Sequence, residues 1–160
     1  EIDLVQMGKE INEENEGRVG VNNLKFVDRK RVAELKNTVC DKTYRVDVSI
    51  RDRISIESLK KASQRLTGTV IEQRTPTRVS HRRADLIRPR LINEVEVTSL
   101  QEDMAELVIK AQHGTYIREL VSGDEGRTVP SLSSLVNSVC KVEVLDVLHL
   151  HLDAKEEKNV

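Results

Sequence analysis

The sequence is poor in aromatic residues and has no long apolar run. Its 160 residues include one Phe, two Tyr and no Trp. Aromatic rings normally supply much of the area that a core buries, so we expect this core to rest on Val, Ile and Leu. No apolar run approaches the roughly 18 residues that a transmembrane helix requires, and no signal-like apolar stretch stands at the start. A membrane protein is therefore not expected.

Cysteine is also scarce, since only Cys40 and Cys140 occur and they form no C-x-x-C pair. We expect two buried free thiols in a reducing compartment, which predicts a cytoplasmic protein. The four His and two Cys show no spacing typical of a structural zinc site, so no metal is expected.

Positive and negative charges nearly cancel, with 26 Lys and Arg against 27 Asp and Glu. This balance excludes a uniformly basic nucleic-acid coat, but it hides two charged segments. Residues 1–17 predict an acidic amphipathic helix, and residues 74–90 contain six Arg and one Asp. Guanidinium groups match phosphate oxygens, so residues 74–90 are typical of a loop that contacts RNA or DNA. A solvated loop paired with the acidic helix explains the same charges, and charge alone leaves both interpretations open.

Alternating and helical apolar patterns predict an α+β fold with interspersed strands and helices. Strands are predicted at 43–51, 69–74, 91–99, 104–112 and 141–152, with a weaker one at 19–27. Helices are predicted from Asp28 to about Leu35, from Ser55 or Ile56 to Leu66, over 115–121, and from Thr128 with Pro130 near its first position. Residues 153–160 form a charged tail that we expect to fray. No repeat, linker or domain break is visible.

A second segment of interest, residues 114–120 (GTYIREL), begins at a glycine before a predicted helix. Tyr116 can stack on a base, and Arg118 can pair with a carboxylate or a phosphate. A Tyr and an Arg at a helix start are commonplace, so this segment taken alone favours ordinary packing.

Three runs of residues together resemble one enzyme family. They are 73–83 (QRTPTRVSHRR), 114–128 (GTYIRELVSGDEGRT) and 144–147 (VLDV), and the second is long and nearly without gaps. The sequence resembles the archaeal–eukaryotic tRNA pseudouridine synthases that modify the T-loop. Those proteins carry an N-terminal THUMP-containing domain and a C-terminal catalytic domain. The resemblance covers residues 40–150 well and residues 1–39 loosely.

The resemblance implies a partial pseudouridine-synthase fold, which is a mixed, mostly antiparallel sheet flanked by short helices around a cleft. It also implies that uridine in the tRNA T-loop, at positions 54 and 55, is isomerised to pseudouridine without a metal or an organic cofactor. In such enzymes an Asp acts on the sugar, and the target uridine is extruded from the RNA.

Individual roles follow from the same resemblance. Tyr44 is the active-site tyrosine that stacks on the target base and is placed to assist proton removal. Arg118 is the basic partner of the catalytic Asp, and Leu145 packs in the pocket. Tyr116 and Ile117 contact the substrate. The residues that the resemblance assigns to RNA binding are Arg74, Arg78, His81, Arg82 and Arg83.

Each role has a structural alternative. Tyr44 merely fills the core if its strand face is buried, and Arg118 is a surface charge if its helix face is exposed. Leu145 faces outward if the alternation of the valines before it continues along the last strand. The assignment of both tyrosines to the substrate leaves Phe26 as the one ring for ordinary packing.

Three substitutions and one absence depart from the family pattern. The family usually has Lys at the place of Arg118, a large apolar residue at Ser80 and Lys at Val129. The Gly-Arg-Glu-Asp-type motif that carries the catalytic Asp does not occur in the 160 residues. We therefore expect residues 1–160 to be the C-terminal portion of the catalytic domain, inactive alone. Its expected partners are tRNA and a missing N-terminal part of the same protein, with the Asp segment and the THUMP-containing domain.

Two other interpretations stay open. The first is a natural, non-catalytic RNA-binding relative that keeps the cleft without the nucleophile. The second is an unrelated α+β domain, which requires the three matched runs to be coincidental.

Overall fold

The computed structural model describes residues 2–152 of the chain. It contains two compact units, of which the first ends at Thr38 and the second begins at Val39. That both units belong to one catalytic domain stays a prediction. The charged tail predicted at 153–160 lies outside the described residues.

The first unit holds two helices, α1 (Leu4–Glu14) and α2 (Arg29–Asn37). Each is preceded by an aspartate, Asp3 or Asp28, whose carboxylate accepts hydrogen bonds from backbone N–H groups of the first turn. These N–H groups have no partner inside a helix, so the aspartates stabilise both starts. The two helices predicted in this region are confirmed.

The weak strand predicted at 19–27 is wrong, because these residues are irregular. The Asn12 side chain binds both backbone groups of Val21: its Oδ1 accepts from the amide at 2.7 Å, and its Nδ2 donates to the carbonyl at 2.9 Å. Backbone groups bound in this way are not available to a neighbouring strand. The packing role expected for Phe26 is also wrong, since this residue is 73% exposed.

The second unit is built on a six-stranded sheet in which every strand pair is antiparallel. The strands are β1 (Asp41–Ile50), β2 (Thr69–Arg74), β3 (Ile87–Gln101), β4 (Met104–Ala111), β5 (Thr128–Val129) and β6 (Cys140–His151), in the spatial order β5-β2-β3-β4-β1-β6. The α+β class is confirmed. Because β3 begins earlier than predicted, Arg88 and Arg90 lie in a strand and not in the loop expected over 74–90.

Three helices pack with the sheet: α3 (Ile56–Leu66), α4 (Ile117–Ser122) and α5 (Leu132–Val136). Ser55 caps α3, as its hydroxyl accepts a hydrogen bond from the Ser58 amide. Alternate residues of β1 form one buried cluster with apolar residues of all three helices. The buried hydrophobic residues of the described part include no aromatic ring, so the expected aliphatic core is confirmed.

The helix start predicted at Thr128 is wrong. Residues 128 and 129 form β5, whose backbone groups pair with β2 and not within a helical turn. The peptide bond before Pro130 is cis. Helix α5 begins only at Leu132, after a capping box formed by Ser131 and Ser134.

Gly123 occupies a position that requires glycine. Its φ of +83° is left-handed, and a Cβ there would lie 2.8 Å from the Ser131 Oγ. We expect Gly123→Ala to lower the free energy of unfolding by about 2–4 kcal/mol, through backbone strain and steric clash. Gly126 has a similar φ of +86° with no atom near the Cβ position, so Gly126→Ala should cost about 1–2 kcal/mol. Chemical denaturation compares the two variants, and equal losses would contradict the clash.

Candidate functional site

Tyr44 lies on the core-facing side of β1, at the border of the apolar cluster. It pairs with the buried Ile109 of β4 on one side and with the exposed Val147 of β6 on the other. Burial, together with the nearby Cys40 thiol, raises the pKa of the Tyr44 phenol above its ordinary value. The ring is therefore half-buried and neutral at neutral pH, and it is neither a full core residue nor an isolated surface residue.

A β-bulge in β6 brings Leu145 close to Tyr44. The register of β6 against β1 shifts twice, which leaves Glu143 and Leu148 without a partner on β1. An extra residue exchanges the two faces of a strand, and Glu143 lies before Leu145 in β6, so Leu145 turns toward the core and pairs with Val46. Leu145 is then a diagonal neighbour of Tyr44, at a separation that an aromatic side chain can bridge. The continuous alternation that would turn Leu145 outward is therefore not present in this strand.

The second tyrosine, Tyr116, is contacted by two arginines of residues 74–90, the Arg-rich segment. Its hydroxyl accepts a hydrogen bond from Arg83 Nη1 at 3.0 Å, and the Arg78 guanidinium lies 5.6 Å from the ring centroid. The second distance is within the range of a cation–π contact. The structure thus brings a predicted substrate residue together with two of the predicted RNA-binding residues.

Arg78 also holds a buried carboxylate. Glu119 is 5% exposed, and its two carboxylate oxygens accept hydrogen bonds from Arg78 Nε at 2.7 Å and Nη2 at 3.4 Å. A carboxylate buried to this extent needs a cation and hydrogen-bond donors to stay ionised. The Nε–Nη2 edge of the Arg78 guanidinium is therefore engaged inside the protein.

Removal of the Arg78 side chain should destabilise the fold, because it leaves Glu119 buried without its cation. We expect Arg78→Met to lower the free energy of unfolding by about 1–3 kcal/mol, less than for a fully buried pair because the arginine side chain is half exposed. Chemical denaturation measures this loss, and Arg82→Gln serves as a control expected to stay within about 0.5 kcal/mol. The double variant Arg78→Met/Glu119→Gln should regain stability, and no recovery would count against the pairing.

A second carboxylate, Asp85, joins Arg74 to Arg127. It accepts hydrogen bonds from Arg74 Nε at 2.9 Å and Nη2 at 2.6 Å, and from Arg127 Nη2 at 2.6 Å. The hydrogen bond from Arg74, with the Arg127 charge beside it, lowers the pKa of Asp85 below its ordinary value. Asp85 therefore stays ionised at neutral pH and fixes the end of β2 to the following loop.

Positive charge remains uncompensated in the rest of the Arg-rich segment. Arg83, Arg88 and Arg90 donate only to neutral oxygen atoms. Within residues 2–152, Arg82 and His81 have no side-chain partner. An anion with several oxygens, such as a phosphate backbone, is the ligand that such a group of guanidiniums favours.

Ile117 and Arg118 form the first turn of α4. Ile117 is buried in the apolar cluster, whereas Arg118 is exposed and its Nη1 donates to the Val142 carbonyl of β6 at 3.2 Å. Arg118 forms no ion pair within 4 Å in the described part of the chain, and Glu143 is the nearby carboxylate on which its charge acts.

Two polar residues at this site were not predicted as functional. Gln73 is 2% exposed and is hydrogen bonded to the Tyr116 backbone, and Glu119 holds Arg78. The sequence indicated a role for Gln73, because this polar residue follows the buried Ile71 at the next core-facing position of β2. A polar side chain at such a position needs a specific partner.

Other expectations concern thiols, membranes and metals. Cys40 and Cys140 are buried and free, as predicted. No helix in the described part is long and apolar enough to cross a membrane. Residues 2–152 contain no group of three or more His, Cys, Asp or Glu that could hold a metal ion.

A comparison with known protein families identifies the chain. The family described as "Pus10, C-terminal" matches residues 1–151. The chain belongs to this family. The family resemblance inferred from the three matched runs of residues is thereby confirmed, whereas the THUMP-containing domain and the T-loop as target stay predictions.

Curated relatives are much longer than the chain. The tRNA pseudouridine synthase Pus10 of Methanocaldococcus jannaschii is 45% identical over 150 residues, which are 94% of this chain and 33% of that protein. The protein of the same name from Methanothrix thermoacetophila is 43% identical over 148 residues, which are 92% of this chain and 32% of that protein. The chain therefore spans about a third of the length of these relatives.

Solved structures share the fold of about 70% of the chain at low sequence identity. A chain in the crystal structure of a Cbf5–Nop10–Gar1 complex matches with a TM-score of 0.58 and 17% identity, over 72% of this chain and 32% of that chain. A chain of the archaeal box H/ACA sRNP Nop10–Cbf5 complex matches with a TM-score of 0.51 and 11% identity, over 71% of this chain and 29% of that chain. At such identities the likeness shows a common fold.

Proposed function

We propose that the complete protein carrying this chain is a tRNA pseudouridine synthase that isomerises uridines 54 and 55 of the T-loop. The proposal rests on Tyr44, which is neutral and half-buried, and on Leu145, which lies beside it and faces the core. The same unit carries arginines whose charge no carboxylate neutralises, such as Arg83. The names of the curated relatives support the same reaction class. The buried thiols are in keeping with a cytoplasmic protein.

The reaction exchanges one bond to uracil for another. The N1–C1′ bond breaks, the base turns, a C5–C1′ bond forms, the proton on C5 leaves and N1 takes up a proton. Tyr44 stacks on the base through its ring, while Leu145 and Ile117 form apolar walls that exclude water. Arg118 pairs with the catalytic Asp, which we place outside the 160 residues because its motif does not occur in them.

The RNA is held by its phosphates. Arg82 and Arg83 are the principal contacts, with His81 beside them, because neither arginine is neutralised by a carboxylate. Arg74 and Arg78 are tied to Asp85 and Glu119, but about half of each side chain stays exposed and adds to the positive field.

The alternative function is RNA binding without catalysis, which the uncompensated arginines alone would support. A tRNA transcript with tritium at C5 of its uridines separates the two, because isomerisation replaces the C5–H bond. With the complete protein in excess we expect about two tritium equivalents per tRNA to be released, and none from a transcript with cytidine at positions 54 and 55. Tight tRNA binding without tritium release would establish the binding relative and reject the synthase.

A further inference from the structure

A buried glutamine is hydrogen bonded to both backbone groups of Tyr116. Gln73 Oε1 accepts from the Tyr116 amide at 2.7 Å, and its Nε2 donates to the Tyr116 carbonyl at 3.0 Å. The side-chain amide thus pairs with Tyr116 as a residue of a neighbouring antiparallel strand would. The remaining N–H of Gln73 donates to Thr128 Oγ1 at 3.2 Å, so every group of the buried amide is satisfied.

Helix α4 has no other cap at its start. Tyr116 is the N-cap residue, and its side chain makes no capping hydrogen bond. Without Gln73, the Tyr116 amide would lose its partner close to the core, which is unfavourable. Because α4 has only six residues, the direction of Ile117 and Arg118 depends on how this first turn is held.

The other polar contacts of residues 115 and 116 are local or exposed. Thr115 bonds back to Gln112, three residues earlier, through its amide and its hydroxyl. The Tyr116 side chain is contacted by Arg83 at its hydroxyl and by Arg78 over its ring, and both arginines belong to the exposed Arg-rich segment. Gln73 is therefore the buried side chain that fixes the turn to β2.

We propose that Gln73 is a positioning residue, which sets the placement of Tyr116 and Arg118 at the site. The effect on substrate rests on the proposed function, whereas the clamp, by which we mean the two hydrogen bonds from Gln73 to the Tyr116 backbone, rests on the structure alone. Gln73 is buried and does not reach the RNA surface, so its loss should affect turnover and not tRNA affinity.

Gln73→Met tests the inference, since it keeps volume and burial but removes both hydrogen bonds to Tyr116. In the complete protein we expect kcat to fall about tenfold, with the Kd for tRNA changed less than about twofold. Hydrogen–deuterium exchange in the peptide covering 114–118 should become about tenfold faster. Gln73→Glu keeps the acceptor and loses the donor, and it should recover part of both effects.

Thr128→Val is the matched control, because it removes the third partner of Gln73 and leaves both bonds to Tyr116. It should lower thermal stability yet leave kcat and the exchange of 114–118 unchanged. A wild-type kcat in Gln73→Met overturns the inference, and so does an equal loss of kcat in Thr128→Val. If the wild-type protein releases no tritium, the proposed function fails. Hydrogen–deuterium exchange of 114–118 then decides the inference alone, and an unchanged exchange rate in Gln73→Met rejects it.

Discussion

Tyr44→Phe is expected to slow isomerisation by about 100-fold or more in the complete protein, with folding and tRNA affinity intact. Phenylalanine keeps the ring that borders the apolar cluster and stacks on the base, but it lacks the hydroxyl. Burial raises the pKa of the phenol, so the hydroxyl keeps its proton at neutral pH and acts through hydrogen bonding. A protonated phenol assists proton transfer when it relays the C5 proton to water, and such assistance contributes about 10²- to 10⁴-fold to the rate. Single-turnover release of C5 tritium measures the loss.

A companion variant separates the ring from the hydroxyl. Tyr44→Leu removes both, so it should lose tRNA affinity as well as rate, because base–aromatic stacking contributes about 1–3 kcal/mol per base. An unchanged rate in Tyr44→Phe would remove the hydroxyl from the mechanism. A matching fall in thermal stability would instead assign Tyr44 to the core.

Replacement of Arg82 and Arg83 by glutamine should weaken tRNA binding on the order of 10- to 100-fold at physiological salt. Each guanidinium is free to release one counterion from the RNA, since neither is paired with a carboxylate. The slope of log Kd against log salt should therefore fall by roughly two units, about one per lost phosphate contact. Fluorescence anisotropy of labelled tRNA at several salt concentrations measures both quantities.

A charge-matched pair controls for net charge. Arg51 and Arg53 are exposed and follow β1 at its end, away from Tyr44 near its start. Arg51→Gln/Arg53→Gln removes the same two charges, and we expect the affinity to change less than about threefold. An equal loss of affinity and slope in both pairs would show that only net charge matters. It would reject direct phosphate contacts by Arg82 and Arg83.

Strands with a strict local pattern could be predicted from the sequence. In β1 the residues Tyr44, Val46, Val48 and Ile50 alternate with polar ones, and the structure places all four on one face. The pattern was sufficient because β1 has partners on both sides and one face covered by helices, so its period of two is preserved.

Bulges and short strands could not be predicted in the same way. The continuous alternation of β6 hid the extra residue Glu143, which turns Leu145 inward, since a bulge is defined by the partner strand. Thr128 carried a helix-start signal, but pairing with β2 decided its conformation. In both cases a contact distant in sequence outweighed the local pattern.

The candidate site was only partly visible in the sequence for the same reason. Charge pattern singled out Arg78, but not its partner Glu119, which lies 41 residues later. Motif resemblance singled out Tyr116, but not the clamp by Gln73, which lies 43 residues earlier. Sequence identified the side chains that could meet a substrate, whereas the structure identified the side chains that hold them.

Pseudouridine mapping in a tRNA transcript treated with the complete protein tests the central claim most directly. Carbodiimide labelling followed by primer extension locates each pseudouridine. We predict pseudouridine at positions 54 and 55 with the wild-type protein, and at neither position with Tyr44→Phe after the same single-turnover time. Full tRNA binding by the wild-type protein with an unmodified T-loop would contradict the claim that this chain forms part of the base-binding site of a pseudouridine synthase.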